Sequence, residues 1–191
     1  ITYADLADID YFISGDLDNA ERNYVNSINN KNDNSSIRYK LGYINYRDED
    51  YEDAVNHFLV ASKDKDSDLN LMLALGNSLS LKDDNFASVG YYQRLIELLD
   101  FEIEKKDIIL PQINEEDTYL VDMYLKATNN IGVGQFRIAR ETGNSNLNGQ
   151  SMNNFSMLEG ILYAVYKGAD VINLSLGLNV DESIAERLSI E

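Results

Sequence analysis

The sequence predicts an all-α protein: a helix-turn-helix repeat solenoid with an irregular C-terminal helix and a possible short strand. Three observations predict this fold. Turn-forming hexads that lead into apolar helical segments begin at Gly15, Glu49 and Asp83, with a period of 34 residues. In each segment an aromatic residue follows a small residue by four positions, so both lie on one helical face. Leu-Gly pairs at 41–42 and 75–76 share this period, and glycine lets two helices approach closely.

This pattern resembles the tetratricopeptide repeat family, whose 34-residue unit is a helix, a turn and a second helix. Residues 1–102 divide into three such units, which begin at residues 1, 35 and 69. The second unit has the fullest match, at Leu41, Gly42, Tyr46, Ala54, Phe58 and Ala61. The third unit departs from the family at Leu95, where a small residue is usual, and the proline common near the repeat end is missing. The resemblance implies stacked helix pairs whose first helices build a concave face.

A fourth, irregular helical unit is predicted after an interruption in the repeats. Residues 103–116 contain Pro111 and many charges, which indicates an extended helix end followed by a linker. Helical periodicity returns over 117–156 and predicts two further helices. Residues 141–149 are polar and predict a loop between these helices.

The packing pattern of the repeats also returns in this unit. Gly132 and Gly134 are expected to be helix–helix packing sites, because they lack the flanking strand and Lys-Ser/Thr of a phosphate-binding loop. Ser151 and Phe155, four residues apart, are expected to take the small and aromatic positions of the second helix. The Asn-Asn-Ile-Gly-Val run around Gly132 resembles bacterial repeat proteins, which implies a bacterial source.

Residues 157–191 differ in character from the repeats. An amphipathic segment over 156–167 predicts a capping helix, and the apolar residues after it predict a short strand. Residues 168–177 resemble a segment of the subtilisin-like serine peptidases (subtilases) that lines the substrate cleft. The matching cleft residues are Ser175, Leu176 and Gly177. No catalytic residue carries over, because the family's catalytic motifs lie upstream and downstream of this segment.

The composition argues against a catalytic or metal centre. The chain has no cysteine and a single histidine, His57, so it cannot build a thiolate site or a site with two imidazoles. We expect His57 to be a surface or partly packed side chain, and we predict no catalytic, cofactor-binding or metal-binding residues. Acidic runs at 48–50 and 64–68 lack the glycine and terminal glutamate of a calcium-binding loop, and they predict helix caps and turns.

The charge of the chain restricts its partners. Lys and Arg number 16 against 33 Asp and Glu, which gives a formal net charge of −17. A field of this sign repels nucleic acids and anionic membranes, and it favours a neutral or basic protein or peptide. No apolar run is long enough to span a membrane, so we expect a soluble protein, and no targeting segment or compartment is indicated.

The predicted function is non-enzymatic binding of a peptide or partner helix in the concave groove that the repeat resemblance implies. The groove lining is expected to come from Asp5, Ile9, Arg38, Asn45, Met72 and Ser80. Asp5 and Ile9 stand where some family members carry a Lys/Asn clamp for a C-terminal carboxylate, so no clamp is predicted. Lys40 and Asn77 are expected to be isolated surface residues.

An alternative hypothesis makes the repeats an accessory N-terminal region of a subtilisin-like serine peptidase, of which this chain holds a truncated piece. Because no Met precedes Ile1, we expect the chain to be part of a longer protein. The two hypotheses differ in the sequence expected beyond Glu191. A peptidase would carry a Gly-Thr-Ser nucleophile motif downstream, and an interaction module would not.

Overall fold

The computed structural model describes the backbone of residues 1–106 and 115–166, and the side chains of residues 1–106 and 117–158. Every regular element in these ranges is a helix, so the predicted all-α helical-repeat fold is confirmed there. The predicted strand within 168–177 lies outside the described residues.

Eight α-helices lie in the described part of the chain. They are α1 (Tyr3–Ile9), α2 (Leu17–Asn29), α3 (Ser35–Arg47), α4 (Tyr51–Ser62), α5 (Leu69–Leu81), α6 (Asn85–Lys105), α7 (Glu115–Thr142) and α8 (Ser145–Tyr166). A π-helical turn over Asp10–Ser14 continues α1. Helices α2, α4 and α6 begin 34 residues apart, and so do α3 and α5. This spacing equals the period of the sequence.

Side-chain caps explain where the helices of the first repeats begin. Asp16, Asn34, Asp50 and Asp68 each accept a hydrogen bond from the backbone N–H three residues further on, at the starts of α2 to α5. The three carboxylates also face the positive end of a helix dipole. The predicted capping role of the acidic runs is therefore confirmed at Asp50 and Asp68.

The chain divides into two compact units, Ile1–Asp84 and Asn85–Glu191. The boundary falls inside the third predicted repeat, so α5 belongs to the first unit and α6 to the second. In the first unit, α1, α2 and α3 share a buried core that consists of Ala7, Ala20, Tyr24, Ile37, Leu41 and Ile44. Helices α3 and α4 pack closely at Gly42, where a Cβ would lie 2.6 Å from the ring of Phe58.

The second unit repeats this packing between α7 and α8. A Cβ at Gly132 would lie 2.9 Å from the ring of Phe155, and the Ser151 hydroxyl donates a 2.8 Å hydrogen bond to the Gly132 carbonyl oxygen. Gly134 faces α6, where a Cβ would lie 2.5 Å from the Val89 side chain. The predicted packing roles of Gly132 and Gly134 are confirmed, because neither position has room for a side chain.

The connection between α7 and α8 is shorter than predicted. Only Gly143 and Asn144 separate the two helices, so the predicted loop over 141–149 is wrong. Gly143 ends α7 in the left-handed conformation (φ 70°), and the Asn144 side chain accepts two backbone hydrogen bonds that start α8. Residues 156–166 continue α8 without a break, and they do not form the separate capping helix that we predicted.

Candidate interaction surface

The described residues hold no group of three or more His, Cys, Asp or Glu side chains that could ligate a metal ion. No helix in the same part of the chain is both long enough and apolar enough to cross a membrane. Apolar side chains on the first helix, by contrast, are exposed to solvent over a continuous length. They form the candidate site.

Four side chains define this site: Leu6 and Ile9 on α1, and Phe12 and Ile13 on the π-helical turn. We call them the α1 stripe; Phe12 is 66 % exposed and Ile13 79 %. Leu6, Ile9 and Ile13 follow helical spacing along one face, whereas Ala7 is fully buried on the other. A surface helix normally presents polar side chains to solvent, so the α1 stripe indicates a contact outside the core.

Aromatic rings extend the α1 stripe onto α3. The ring centroid of Tyr11 lies 4.8 Å from that of Phe12 and 6.3 Å from that of Tyr43, which is exposed on α3. Burial raises the pKa of Tyr11 to about 12, and the neighbouring Tyr43 adds to this effect, so the Tyr11 hydroxyl is neutral at physiological pH. We call the α1 stripe together with Tyr11 and Tyr43 the first-helix surface.

A polar network beside this surface joins α1 to α2 and α3. Asp8 Oδ1 accepts hydrogen bonds from the Tyr24 hydroxyl and from Lys40 Nζ, each 2.6 Å long. Burial of Tyr24 raises its pKa, and the hydrogen bond to Asp8 raises it further. Lys40 Nζ also lies 5.1 Å from the ring centroid of Phe12, within cation–π range. The expectation that Lys40 is an isolated surface residue is therefore wrong.

Carboxylates border the α1 stripe on both sides. On the side of α2, Asp10 accepts a 2.9 Å hydrogen bond from Asn23 Nδ2. On the side of α3, Asp8 forms an ion pair with Lys40. Asp5 lies at the start of α1, where the backbone N–H of Thr2 donates to its carboxylate and lowers its pKa. Asp5 is therefore ionised at neutral pH.

The structure brings only part of the predicted groove lining to the surface. Ile9 belongs to the α1 stripe, Asp5 is exposed on the same helix, and Ser80 is half-buried on α5. Asn45 and Met72 are only 8 % and 3 % exposed, so their side chains cannot line an open groove. Asn45 points toward α2, where its Nδ2 donates a 3.2 Å hydrogen bond to the Glu21 carboxylate.

Arg38, also predicted to line the groove, is engaged inside the first unit. Its guanidinium donates two hydrogen bonds, of 2.6 and 2.7 Å, to the Asp33 carboxylate. Its Nη1 lies 3.2 Å from Nδ1 of His57. Burial lowers the pKa of His57 and Arg38 lowers it further, so the ring is neutral at pH 7 and can accept this hydrogen bond. The half-buried His57 confirms the expectation of a partly packed side chain.

Sequence reasoning missed Leu6, Phe12, Ile13 and Tyr43 as surface residues. A signal for three of them was present, because apolar residues occupy two opposite faces of the first helix and one face is enough to build a core. A signal for Tyr43 was also present, because it lies 34 residues after Ile9, which was predicted to line the groove, and 34 residues before Asn77.

The subtilase-like residues Ser175, Leu176 and Gly177 lie outside the part of the chain that the structure describes. The candidate site therefore rests on the geometry of the first-helix surface. The chain matches no protein-family model, and no curated protein is significantly similar to it.

Proposed function

We propose that this chain is a non-enzymatic interaction module that binds a peptide or a partner helix on the first-helix surface. The observation that carries the proposal is the exposure of the four apolar side chains of the α1 stripe beside the exposed ring of Tyr43. Burial of apolar surface against a partner is favourable by about 25 cal/mol per Å². A partner that covers these side chains therefore forms a more stable complex than one that leaves them exposed to water.

The repeat architecture supports the same proposal. Helix starts recur every 34 residues, and a glycine faces an aromatic ring both at Gly42 and Phe58 and at Gly132 and Phe155. These features are typical of tetratricopeptide-like helix pairs, in which the first helices form the binding face. Helices α1 and α3 are the first helices of their pairs, and both contribute to the first-helix surface.

The test compares substitutions at matched positions. Ile9 and Tyr43 on the surface, and Leu59 on α4, are exposed to nearly the same extent, at 42 %, 40 % and 39 %. Peptide ligands are selected from a displayed random library, and their affinities are measured by titration calorimetry. We expect Ile9→Ser and Tyr43→Ser to weaken binding by about tenfold or more, and Leu59→Ser to leave it unchanged.

Circular dichroism melting curves establish that the three variants are folded. Ligands whose affinity is the same for the wild type, Ile9→Ser and Tyr43→Ser would contradict the proposal, because they would bind elsewhere. Cleavage of a casein-type substrate by the purified chain would contradict its non-enzymatic part.

A further inference from the structure

We infer that the partner of the first-helix surface is a basic amphipathic helix. This inference rests on the proposed function and names the class of ligand that the same surface takes. Three properties of the α1 stripe lead to it: the helical spacing of its residues, their lack of hydrogen-bonding groups, and the carboxylates on its borders.

The α1 stripe has the shape of one half of a helix–helix contact. Leu6, Ile9 and Ile13 recur at intervals of three and four residues, so they form a ridge along one side of the helix. A second helix with apolar residues at the same intervals can pack its own ridge beside this one. The neighbouring rings of Phe12 and Tyr43 widen the contact on the side of α3.

The chemistry of the α1 stripe favours a helix over an extended peptide. Its four aliphatic and aromatic side chains carry no hydrogen-bond donor or acceptor. An extended peptide has unpaired backbone N–H and C=O groups at every residue. Those buried against the α1 stripe would have no hydrogen-bond partner. A helix pairs its backbone groups internally, so it loses none of these hydrogen bonds on binding.

The charges around the α1 stripe favour a basic partner. Asp8 and Asp10 lie on opposite sides of it, and Asp5 lies on the same helix one turn before Ile9. Lys40 counters the charge of Asp8, whereas the net charge of −17 on the whole chain attracts cations over a longer range. Lys or Arg residues that flank a partner's apolar ridge would therefore meet complementary charge at Asp5 and Asp10, and on the side of Asp8 only the net charge of the chain attracts them.

The test uses three synthetic helix-forming peptides of about 18 residues, each with one tryptophan as a fluorescence reporter. The protein contains no tryptophan, so fluorescence excited at a wavelength that its 13 tyrosines do not absorb reports on the peptide alone. The first peptide has an apolar ridge flanked by Lys, and the second has the same ridge flanked by Glu. The third contains the residues of the first in scrambled order.

We expect the Lys-flanked peptide to bind with 1:1 stoichiometry, and about tenfold more tightly than the other two. Its affinity falls as NaCl screens the charges, and combining Asp5→Asn with Asp10→Asn weakens binding about threefold or more and flattens this salt dependence. Ile9→Ser weakens binding about tenfold, and the matched Leu59→Ser leaves it unchanged.

Equal affinities of the Lys-flanked and Glu-flanked peptides would overturn the inferred charge of the partner. If Ile9→Ser then weakened the binding of both peptides, the proposed function would still stand. Equal affinity of the scrambled peptide would overturn the inferred helix. Failure of all three peptides to bind would overturn the inference, and the displayed-peptide experiment would then decide the proposed function by itself. Peptide binding that is indifferent to Ile9→Ser would count against both.

Discussion

Gly42 and Gly90 both lie inside helices, but their surroundings are opposite. A Cβ at Gly42 would lie 2.6 Å from two ring atoms of the buried Phe58, whereas a Cβ at Gly90 would meet no atom within 4 Å. A glycine in an exposed helix lowers stability relative to alanine, because the unfolded chain has more freedom to lose. At a packed position the same added methyl group must displace a neighbour.

We therefore expect Gly90→Ala to raise the free energy of unfolding by about 0.5–1 kcal/mol. Gly42→Ala should lower it by about 1–3 kcal/mol, because the added methyl group would overlap the fully buried ring of Phe58. Urea unfolding curves of both variants measure these differences. Changes of the same sign in the two variants would contradict the packing described for α3 and α4.

Asp100 on α6 links the stability of the second unit to pH. Burial raises the pKa of Asp100 to about 6, and Glu104 one turn further along the helix adds to this shift. The buried Tyr124 of α7 also faces this carboxyl group, and its own pKa is raised by burial first and by Asp100 second. The folded state therefore holds the proton of the Asp100 carboxyl group more tightly than the unfolded state does, and this difference stabilises the folded state. The stabilisation is complete below pH 3.8, the ordinary pKa of Asp, and it is lost as the pH rises through about 6.

We expect Asp100→Asn to stabilise the protein at pH 7.5 by about 1–2 kcal/mol, a range reduced to allow for the partial solvent exposure of this group. The difference from the wild type should narrow as the pH falls toward 4.5, since the wild-type carboxyl group then becomes neutral in the folded state. Urea unfolding at a series of pH values measures this difference. A difference independent of pH would show that Asp100 has an ordinary pKa.

The α3–α4 pair depends on one small residue and one aromatic residue of α4. Ala54 and Phe58 are both fully buried, four residues apart on the face that meets α3. We expect Phe58→Ala to lower the free energy of unfolding by about 3–5 kcal/mol through the cavity it creates. Ala54→Leu should lower it by about 1–3 kcal/mol, because the contact between the helices would be overfilled.

Denaturant unfolding measures both changes, and Leu59→Ala on the exposed side of α4 is the matched control. We expect the control to change the free energy of unfolding by less than about 0.5 kcal/mol. Unfolding curves of Phe58→Ala and Ala54→Leu that coincide with the wild-type curve would refute the packing of this pair.

Phe155 of α8 is only half-buried. Phe155→Ala should therefore lower the free energy of unfolding by less than Phe58→Ala does.

The net charge of −17 acts on the whole molecule. Like charges repel one another in the compact state, and dissolved salt screens this repulsion. The seven ion pairs among the described residues lie largely at the surface, where each contributes about 0–1 kcal/mol. Their summed contribution is therefore expected to be smaller than the repulsion that salt removes.

We expect Tm at pH 7 to rise when NaCl increases from about 20 mM to about 500 mM. Scanning calorimetry at constant protein concentration measures this change. A fall in Tm over the same range would mean that the ion pairs, including Asp8 with Lys40 and Asp33 with Arg38, outweigh the repulsion.

The sequence by itself determined the helices, their period of 34 residues and the pairing of small with aromatic residues. Caps such as Asp50 and spacings such as Ala54 to Phe58 act between residues a few positions apart, so the local pattern contains them. The same reasoning found Gly132 opposite Phe155 in the irregular fourth unit. It failed at 141–149, where polar composition was taken for a loop although Gly143 and Asn144 already supply an end and a cap.

Only the tertiary structure decided which side chains of those helices remain exposed. It buried Asn45 and Met72, exposed Phe12 on an unpredicted π-helical turn, and joined three helices through Asp8 and its partners. These outcomes depend on how far each helix rotates against its neighbours. That rotation is set by packing between residues far apart in the chain, and the spacing within one helix does not contain it.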